Sequence, residues 1–155
     1  MKEREIKPEN IWNEEKLNSI NTFVKQHSEN QSKERKIRNK LLSIQYKLED
    51  YIEKESIDED KVINILDFIK MYLKVLGITK KDLAKYFGMK DSNLHTYLTG
   101  KRKLNPDIVL KISSFSRTNP EYWYRVQVKN ELVKLRKQKA KDYEKYDYEK
   151  LLSIR

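Results

Sequence analysis

Residues 88–104, GMKDSNLHTYLTGKRKL, place small polar side chains, two glycines and a run of cations in one short segment. Projected as a helix at about 100° per residue, Ser92 and Thr96 point away from the apolar positions, and Asn93 and His95 flank them. Hydroxyl, amide and imidazole groups all form hydrogen bonds. A helix that presents them can lie in the major groove of DNA and reach the base edges. The pattern therefore predicts base contacts from these four residues, whereas a simpler interpretation leaves them as solvated surface residues.

Asp91, at the start of the same segment, has two interpretations. It can cap the helix by accepting a hydrogen bond from a backbone N–H group of the first turn. It can instead accept a hydrogen bond from cytosine N4, although its charge repels phosphate. The sequence leaves both open, and Asp91 stays among the candidate base contacts.

Lys101, Arg102 and Lys103, which we call the cationic loop, directly follow the glycine that ends the predicted helix. The phosphate backbone should pass just beyond a helix that lies in the groove, and phosphate contacts fix the register of the protein on the duplex. Lys80 and Thr79, at the start of the preceding helix, are candidate phosphate contacts for the same reason. The alternative for the cationic loop is a solvated loop without a partner.

Two short helices must hold this segment in place. Thr79 and Asp82, three residues apart, resemble a capping box that would begin the first helix. Ala84 is small where the two helices would cross, Gly88 tolerates the positive φ of a tight turn, and Leu94 would point back at the crossing. Together these features are typical of a helix-turn-helix.

The remaining apolar residues also recur at helical spacing, so the chain is expected to be all-α. Further helices are predicted over residues 13–27, 37–51 and 60–76, and again from Asn105-Pro106 and Asn119-Pro120, which each join a capping residue to a first-turn proline. The stripe of apolar residues at 37–51 is narrow, and it packs either on another helix of the chain or on a partner.

The acidic segment at 55–60 marks the predicted domain boundary. It gives an N-terminal helical extension at 1–57, a DNA-binding domain with a C-terminal dimerisation helix at 58–139, and a charged, Tyr-rich tail at 140–155.

The chain carries 34 Lys and Arg against 24 Asp and Glu, for a formal net charge of +10. Residues 1–60 have a balance of −2, whereas residues 61–104 have +7 and residues 105–155 have +5. A basic region attached to a near-neutral one indicates a polyanionic partner such as nucleic acid.

Several classes of function have no support in the sequence. There is no cysteine and there are only two histidines, so a metal cluster is not expected. We find no Gly-rich phosphate loop and no pairing of a nucleophile with a base, so neither an enzyme nor a cofactor is expected. The first ten residues are rich in charged side chains and no apolar run approaches roughly 20 residues, so the expected location is the cytoplasm and no membrane contact is expected.

The run ITKKDLAKYFGMKDSNLHTYLTGKRKL resembles the helix-turn-helix of phage repressors and small bacterial regulators, because its LA…G…L…LxGKR frame is present without a gap. The continuation NPEYWYRVQVKNEL, with Trp123 and Gln127 four residues apart, resembles the HigA-type antitoxins. The resemblance covers about residues 60–135. It departs from the family at Lys90, where a serine-like cap is usual, and in the long N-terminal extension.

The resemblance implies a five-helix repressor-type helix-turn-helix domain preceded by an N-terminal helical extension. It also implies two partners, namely a palindromic operator in double-stranded DNA and a HigB-type toxin, which is a small ribosome-dependent mRNA endonuclease. Some antitoxins of this type contact the toxin through an N-terminal extension, so residues 13–55 are the candidate toxin-binding region.

Trp123 and Gln127 lie on one helical face and are expected to be structural. The same face, extended by Val126, Leu132 and Leu135, is also a candidate two-fold interface, since a palindromic operator requires a symmetric dimer.

Two alternatives remain open beside the antitoxin. The chain can be a stand-alone, prophage-like regulator of transcription without a toxin. It can also be a protein-interaction module, in which case its lysine-rich surface is incidental.

Overall fold

The computed structural model describes residues 14–29 and 32–155, and the first part of the predicted extension lies outside these ranges. The described residues are helical without a strand, which confirms the predicted all-α class. The α-helices are α1 Glu14–Glu29, α2 Lys33–Glu53, α3 Ile65–Leu76, α4 Lys80–Tyr86, α5 Asp91–Leu98, α6 Pro106–Ser116, α7 Pro120–Tyr143 and α8 Tyr148–Ile154. Short 3-10 turns lie at Glu59–Lys61 and Glu144–Tyr146.

The chain divides into two compact units, residues 1–38 and 39–155, and the division falls within α2. The sequence places the boundary after residue 57 instead. The reason for the difference is the stripe on α2, because Ile44, Leu48 and Tyr51 are buried in the same core as the helices that follow. The second half of the stripe therefore packs within the chain, and the acidic segment is a loop of the second unit.

In the first unit, α1 carries large apolar side chains that are exposed to solvent. Leu17, Ile20 and Val24 are 40%, 50% and 58% exposed, and Phe23 is 68% exposed. The ring of Phe23 stacks on that of His27 with 6.1 Å between the ring centroids. The residues recur at helical spacing, so they form one apolar face of α1.

The core of the second unit is built from one apolar face of each of six helices. Fully buried members include Leu48, Phe68, Ile69, Leu83, Leu94, Leu98, Ile108, Ile112, Trp123 and Val126. Removing this apolar surface from water is the main stabilising term of such a fold. Because the apolar faces of α4 and α5 are buried in this core, their polar faces are directed toward solvent.

Polar contacts join α2 to α7. The Tyr51 hydroxyl donates a hydrogen bond to Asn130 Oδ1 over 2.6 Å and accepts one from the backbone N–H of Ile63. Asn130 Nδ2 in turn donates to the Ile63 carbonyl. Burial raises the pKa of Tyr51, so the hydroxyl stays protonated and can donate.

Lys129 of α7 satisfies carbonyl groups at the C-terminal end of α2. Its ammonium donates to the carbonyl oxygens of Ile52 and Lys54. A cation at this end of a helix completes orphan hydrogen bonds and complements the helix dipole. Desolvation lowers the pKa of Lys129.

The helix boundaries follow the predicted caps with two differences. The side chains of Asn105 and Asn119 accept hydrogen bonds at the starts of α6 and α7, as their placement before proline predicts. The helix predicted from residue 60 begins at Ile65 instead, after a separate 3-10 turn. The last core helix continues past its predicted end, with non-helical backbone angles at Lys139.

Candidate nucleic-acid interface

The crossing of α4 and α5 is held by the features that the sequence indicates. The hydroxyl of Thr79 accepts a hydrogen bond from Asp82 N, and Thr79 N donates to Asp82 Oδ2 over 3.0 Å, which forms the capping box. The hydroxyl of Thr79 also donates to Asp82 Oδ2, and this bond, together with the one from Thr79 N, holds the pKa of Asp82 below its usual value. Gly88 has φ +70° in the turn, and Ala84 and Leu94 are buried at the crossing.

The large apolar residues of α5 all lie on its inward face, so its outward face is polar. Leu94, Tyr97 and Leu98 are buried, whereas Ser92 and Asn93 are exposed. No hydrogen bond joins the side chain of Ser92 or Asn93 to another described residue, so both can bind an external partner. α5 thus presents adaptable donors and acceptors on a helix whose position is fixed by the core.

Thr96 lies on the same face, and its hydroxyl proton already takes part in a hydrogen bond within α5. Its hydroxyl donates to the carbonyl oxygen of Asn93 over 2.7 Å. A hydroxyl has one proton and two lone pairs. Toward an external partner, Thr96 therefore offers an acceptor, and groups such as adenine N6 or cytosine N4 match it.

His95 is connected to α4 by a contact between helices. The Nζ atom of Lys80 lies 2.8 Å from His95 Nδ1 and 3.7 Å from Asp91 Oδ1. Lys80 begins α4, while Asp91 and His95 lie one turn apart on α5, so one ammonium bridges two side chains of the neighbouring helix. The sequence predicts that Lys80 contacts phosphate and does not predict this contact with α5. The i, i+4 spacing of Asp91 and His95 is the signal that places them on one face.

Asp91 does not cap α5 by a hydrogen bond. The N-cap position belongs to Lys90, whose backbone is extended and whose side chain makes no cap hydrogen bond. Asp91 is the first helical residue, and its buried Oδ1 atom forms no hydrogen bond but faces Lys80. Its charge still lies in the first turn, where the helix dipole favours an anion.

The cationic loop stays close to the end of α5. The backbone N–H of Arg102 donates to the carbonyl oxygen of Thr96 over 3.0 Å, and the guanidinium carbon lies 5.0 Å from the centroid of the Tyr97 ring. Lys101 and Lys103 are exposed on either side. The loop therefore holds three cations at the C-terminal end of α5.

The other candidate phosphate contacts are partly engaged within the protein. The hydroxyl of Thr79 serves the capping box, and the ammonium of Lys80 is directed at α5. Thr79 and Lys80 nevertheless lie at the N-terminus of α4, where backbone N–H groups favour an anion.

Three of the residues proposed for the two-fold interface form their contacts within the subunit. Trp123 and Val126 are fully buried, and the indole N–H of Trp123 donates to Thr118 Oγ1. Gln127 Oε1 accepts a hydrogen bond from the backbone N–H of Leu104 over 2.7 Å. These three residues therefore stabilise the subunit itself.

Other residues of α7 remain open to a partner. Val128, Leu132 and Leu135 are 48%, 43% and 37% exposed and recur at spacings of four and three. They form one apolar face of the helix.

Two classes of site are not found in the described part of the chain. Its His, Cys, Asp and Glu side chains form no group of three or more that could hold a metal ion. Within residues 14–29 and 32–155, no helix combines the length and apolar character needed to cross a bilayer.

Comparison with known proteins identifies the segment that contains this site. Residues 69–123 match a helix-turn-helix family model, and the match runs from α3 to the first turn of α7. Neither the curated proteins nor the solved structures include a match to the chain. The matched segment contains α4, the Gly88 turn, α5 and the cationic loop, and it indicates a DNA-binding regulator of transcription.

Proposed function

We propose that this chain, a DNA-binding regulator through its helix-turn-helix domain at residues 69–123, is the antitoxin of a toxin–antitoxin module. As a homodimer it binds a palindromic operator and represses its own operon. Through its N-terminal extension it binds and neutralises a HigB-type mRNA endonuclease. The observation that carries the proposal is the polar outward face of α5, with the cationic loop at the C-terminal end of that helix.

The arrangement of α5 supports insertion of this helix into the major groove. Ser92 and Asn93 are free to form hydrogen bonds with base edges, and Thr96 offers an acceptor beside them. Lys101, Arg102 and Lys103 supply positive charge where the duplex backbone would pass. The local excess of positive charge in residues 61–104 favours the same partner.

The exposed apolar face of α7 supports the homodimer. Val128, Leu132 and Leu135 are large apolar residues on the outside of the subunit. A two-fold contact through this face would remove them from water and present two copies of α5 to a palindromic site.

Two observations favour a toxin partner. The first is the resemblance of residues 119–132 to HigA-type antitoxins. The second is the apolar face of α1, where Phe23 and Val24 are more than half exposed. An amphipathic helix that presents such a face is a common means of binding a groove on another protein.

A stand-alone regulator is the second candidate. It is favoured by the match itself, which is confined to the helix-turn-helix segment and includes neither α1 nor α2. Such a protein would bind its operator in the same way and would have no toxin beside it.

Binding to the duplex upstream of the gene at two salt concentrations tests the DNA-binding part. We expect tighter binding than to a shuffled duplex, and a steep loss of affinity at the higher salt, because lysine and arginine contacts release counterions. Equal affinity for both duplexes, or no dependence on salt, would contradict the proposal.

Co-expression with the neighbouring gene tests the toxin-binding part. We expect the two products to co-purify and Phe23→Ser to weaken the complex without changing operator affinity. Tyr86→Ser is a matched control, since Tyr86 is also an exposed aromatic residue (82%) but lies on α4. Rescue of growth by the wild type and not by Phe23→Ser favours the antitoxin. If the product of the neighbouring gene is not toxic and the chain still represses its operon fully, the stand-alone regulator is favoured.

A further inference from the structure

We propose that Lys80 is a positioning residue that fixes the tautomer of His95, so that His95 meets DNA as a hydrogen-bond donor and selects an acceptor on a base edge. This inference rests on the proposed binding of α5 in the major groove. It assigns to Lys80 a role different from a simple phosphate contact.

The chemistry of the contact determines which ring nitrogen carries the proton. A lysine ammonium has three donors and no acceptor. With Lys80 Nζ at 2.8 Å, His95 Nδ1 must be the acceptor of this hydrogen bond and is therefore unprotonated. In the neutral imidazole the proton then lies on Nε2.

The surroundings keep Lys80 in place. Its side chain is only 26% exposed, and the capping box of Thr79 and Asp82 fixes the first turn of α4 from which it extends. Asp91 Oδ1 lies 3.7 Å from the same ammonium. The charge of Asp91 thereby attracts Lys80 toward α5.

The opposite edge of the imidazole ring is available to DNA. Nε2 of His95 forms no hydrogen bond with a described residue and is not among the buried polar atoms that lack a partner. It is therefore not fully buried, and His95 as a whole is partly exposed on the flank of the polar face of α5. A fixed Nε2–H matches the major-groove acceptors purine N7, guanine O6 and thymine O4, whereas the amino groups of adenine and cytosine offer it only another donor.

Thr96 and His95 then have opposite preferences on one helix. The hydroxyl of Thr96 donates a hydrogen bond within the protein and can therefore only accept one from a base, whereas His95 donates to the base. Loss of Lys80 would free His95 to adopt either tautomer, and the preference at its base pair would relax.

Nitrogen-15 NMR of the imidazole in the DNA-free protein tests the tautomer directly. We expect the Nε2–H form in the wild type, a mixture of tautomers in Lys80→Met, and recovery of the wild-type form in Lys80→Arg, which keeps the donors. Lys81→Met is the matched control, because it removes the adjacent, exposed lysine and should leave the tautomer unchanged. A wild-type protein with the proton on Nδ1 overturns the inference whatever its DNA binding.

Duplexes selected by the wild type from a randomised library test the consequence for base preference. We expect one base per half-site at which removing the acceptor, with 7-deazapurine, 2-aminopurine or, for thymine, 5-methyl-2-pyrimidinone, lowers wild-type affinity about tenfold. The same replacement should have little effect on His95→Ala and a reduced effect on Lys80→Met, with Lys81→Met behaving as the wild type. If every base replacement lowered the DNA affinity of all four proteins equally, the proposed contact between His95 and a base would be overturned.

The two failures can be distinguished. If the wild type enriches no duplex over random DNA, the proposed function fails, while the NMR result still decides the tautomer. If a duplex is enriched but the base replacements do not depend on His95, only this inference fails.

Discussion

The hydroxyl of Tyr51 in α2 donates a 2.6 Å hydrogen bond to the amide oxygen of Asn130 in α7, across 79 positions of sequence. The same hydroxyl accepts from Ile63 N, so one atom joins three segments. The contact makes the second half of α2 part of the DNA-binding unit.

We therefore expect Tyr51→Phe to destabilise the second unit. It leaves the Asn130 oxygen and the Ile63 N–H without their partner, and the cost should be about 2 kcal/mol in the free energy of unfolding. Urea denaturation followed by circular dichroism measures this. Tyr46→Phe is the control, because Tyr46 lies on the same helix but is 64% exposed. Equal stability of both variants would contradict a structural role for the hydrogen bonds.

Tyr72→Phe should have the opposite sign. The Tyr72 hydroxyl is buried and has no hydrogen-bond partner among the described residues, so its removal should stabilise the fold by about 1 kcal/mol. A loss of stability in urea denaturation would show that the hydroxyl has a partner in solution.

The same substitution should change the response to alkali. Burial, with the nearby charge of Glu49 as a smaller cause, raises the pKa of Tyr72 to about 12 from a usual 10.0. The unfolded chain therefore loses this proton at lower pH than the folded one, so the wild type becomes less stable relative to Tyr72→Phe as the pH rises from 10 toward 12. Comparing unfolding of wild type and Tyr72→Phe at pH 9, 10 and 11 should show a gap that widens with pH.

Gly88→Ala should weaken the turn between α4 and α5 without a steric clash. A Cβ atom at Gly88 would meet nothing within 4 Å, so the cost comes only from φ +70° and should be about 1–2 kcal/mol. Gly88→Asn should cost less, since asparagine adopts this conformation more readily. Thermal unfolding of the two variants provides the comparison, and a smaller loss for alanine would be contrary to the expected order.

Thr96→Ala and Lys101→Ala should separate base contacts from phosphate contacts. Removing the acceptor at Thr96 should lower affinity for the selected operator about tenfold and leave binding to random DNA unchanged. Removing Lys101 should weaken both and reduce the salt slope by about one. Fluorescence anisotropy on the two duplexes checks both statements. Equal effects of both substitutions on specific and random DNA would contradict the orientation of α5.

The features that the sequence predicts correctly are local ones. The capping box at Thr79, the positive φ at Gly88 and the proline-started helices depend on residues within a few positions of one another. The inward direction of Leu94 and Leu98 follows from the helical repeat in the same way.

What the sequence does not predict depends on long side chains and on the choice between packing surfaces. The stripe on α2 is also compatible with packing on a partner, and only the full arrangement of helices places Leu48 in the core. Lys80 has four methylene groups, so its ammonium can reach many positions around the start of α4. Its position beside His95 depends on the direction that this long side chain takes at the crossing of α4 and α5, and no local pattern encodes that direction.

Gln127 ties the segment that precedes α6 directly to α7 through the backbone N–H of Leu104. The distance from α5 to the exposed face of α7 is thus set inside one rigid subunit. If two copies meet through that face, the separation of their reading helices has little freedom, and the operator should tolerate almost no change in the number of base pairs between its half-sites. Gln127→Ala should then widen the range of accepted spacer lengths while leaving the half-site sequence unchanged.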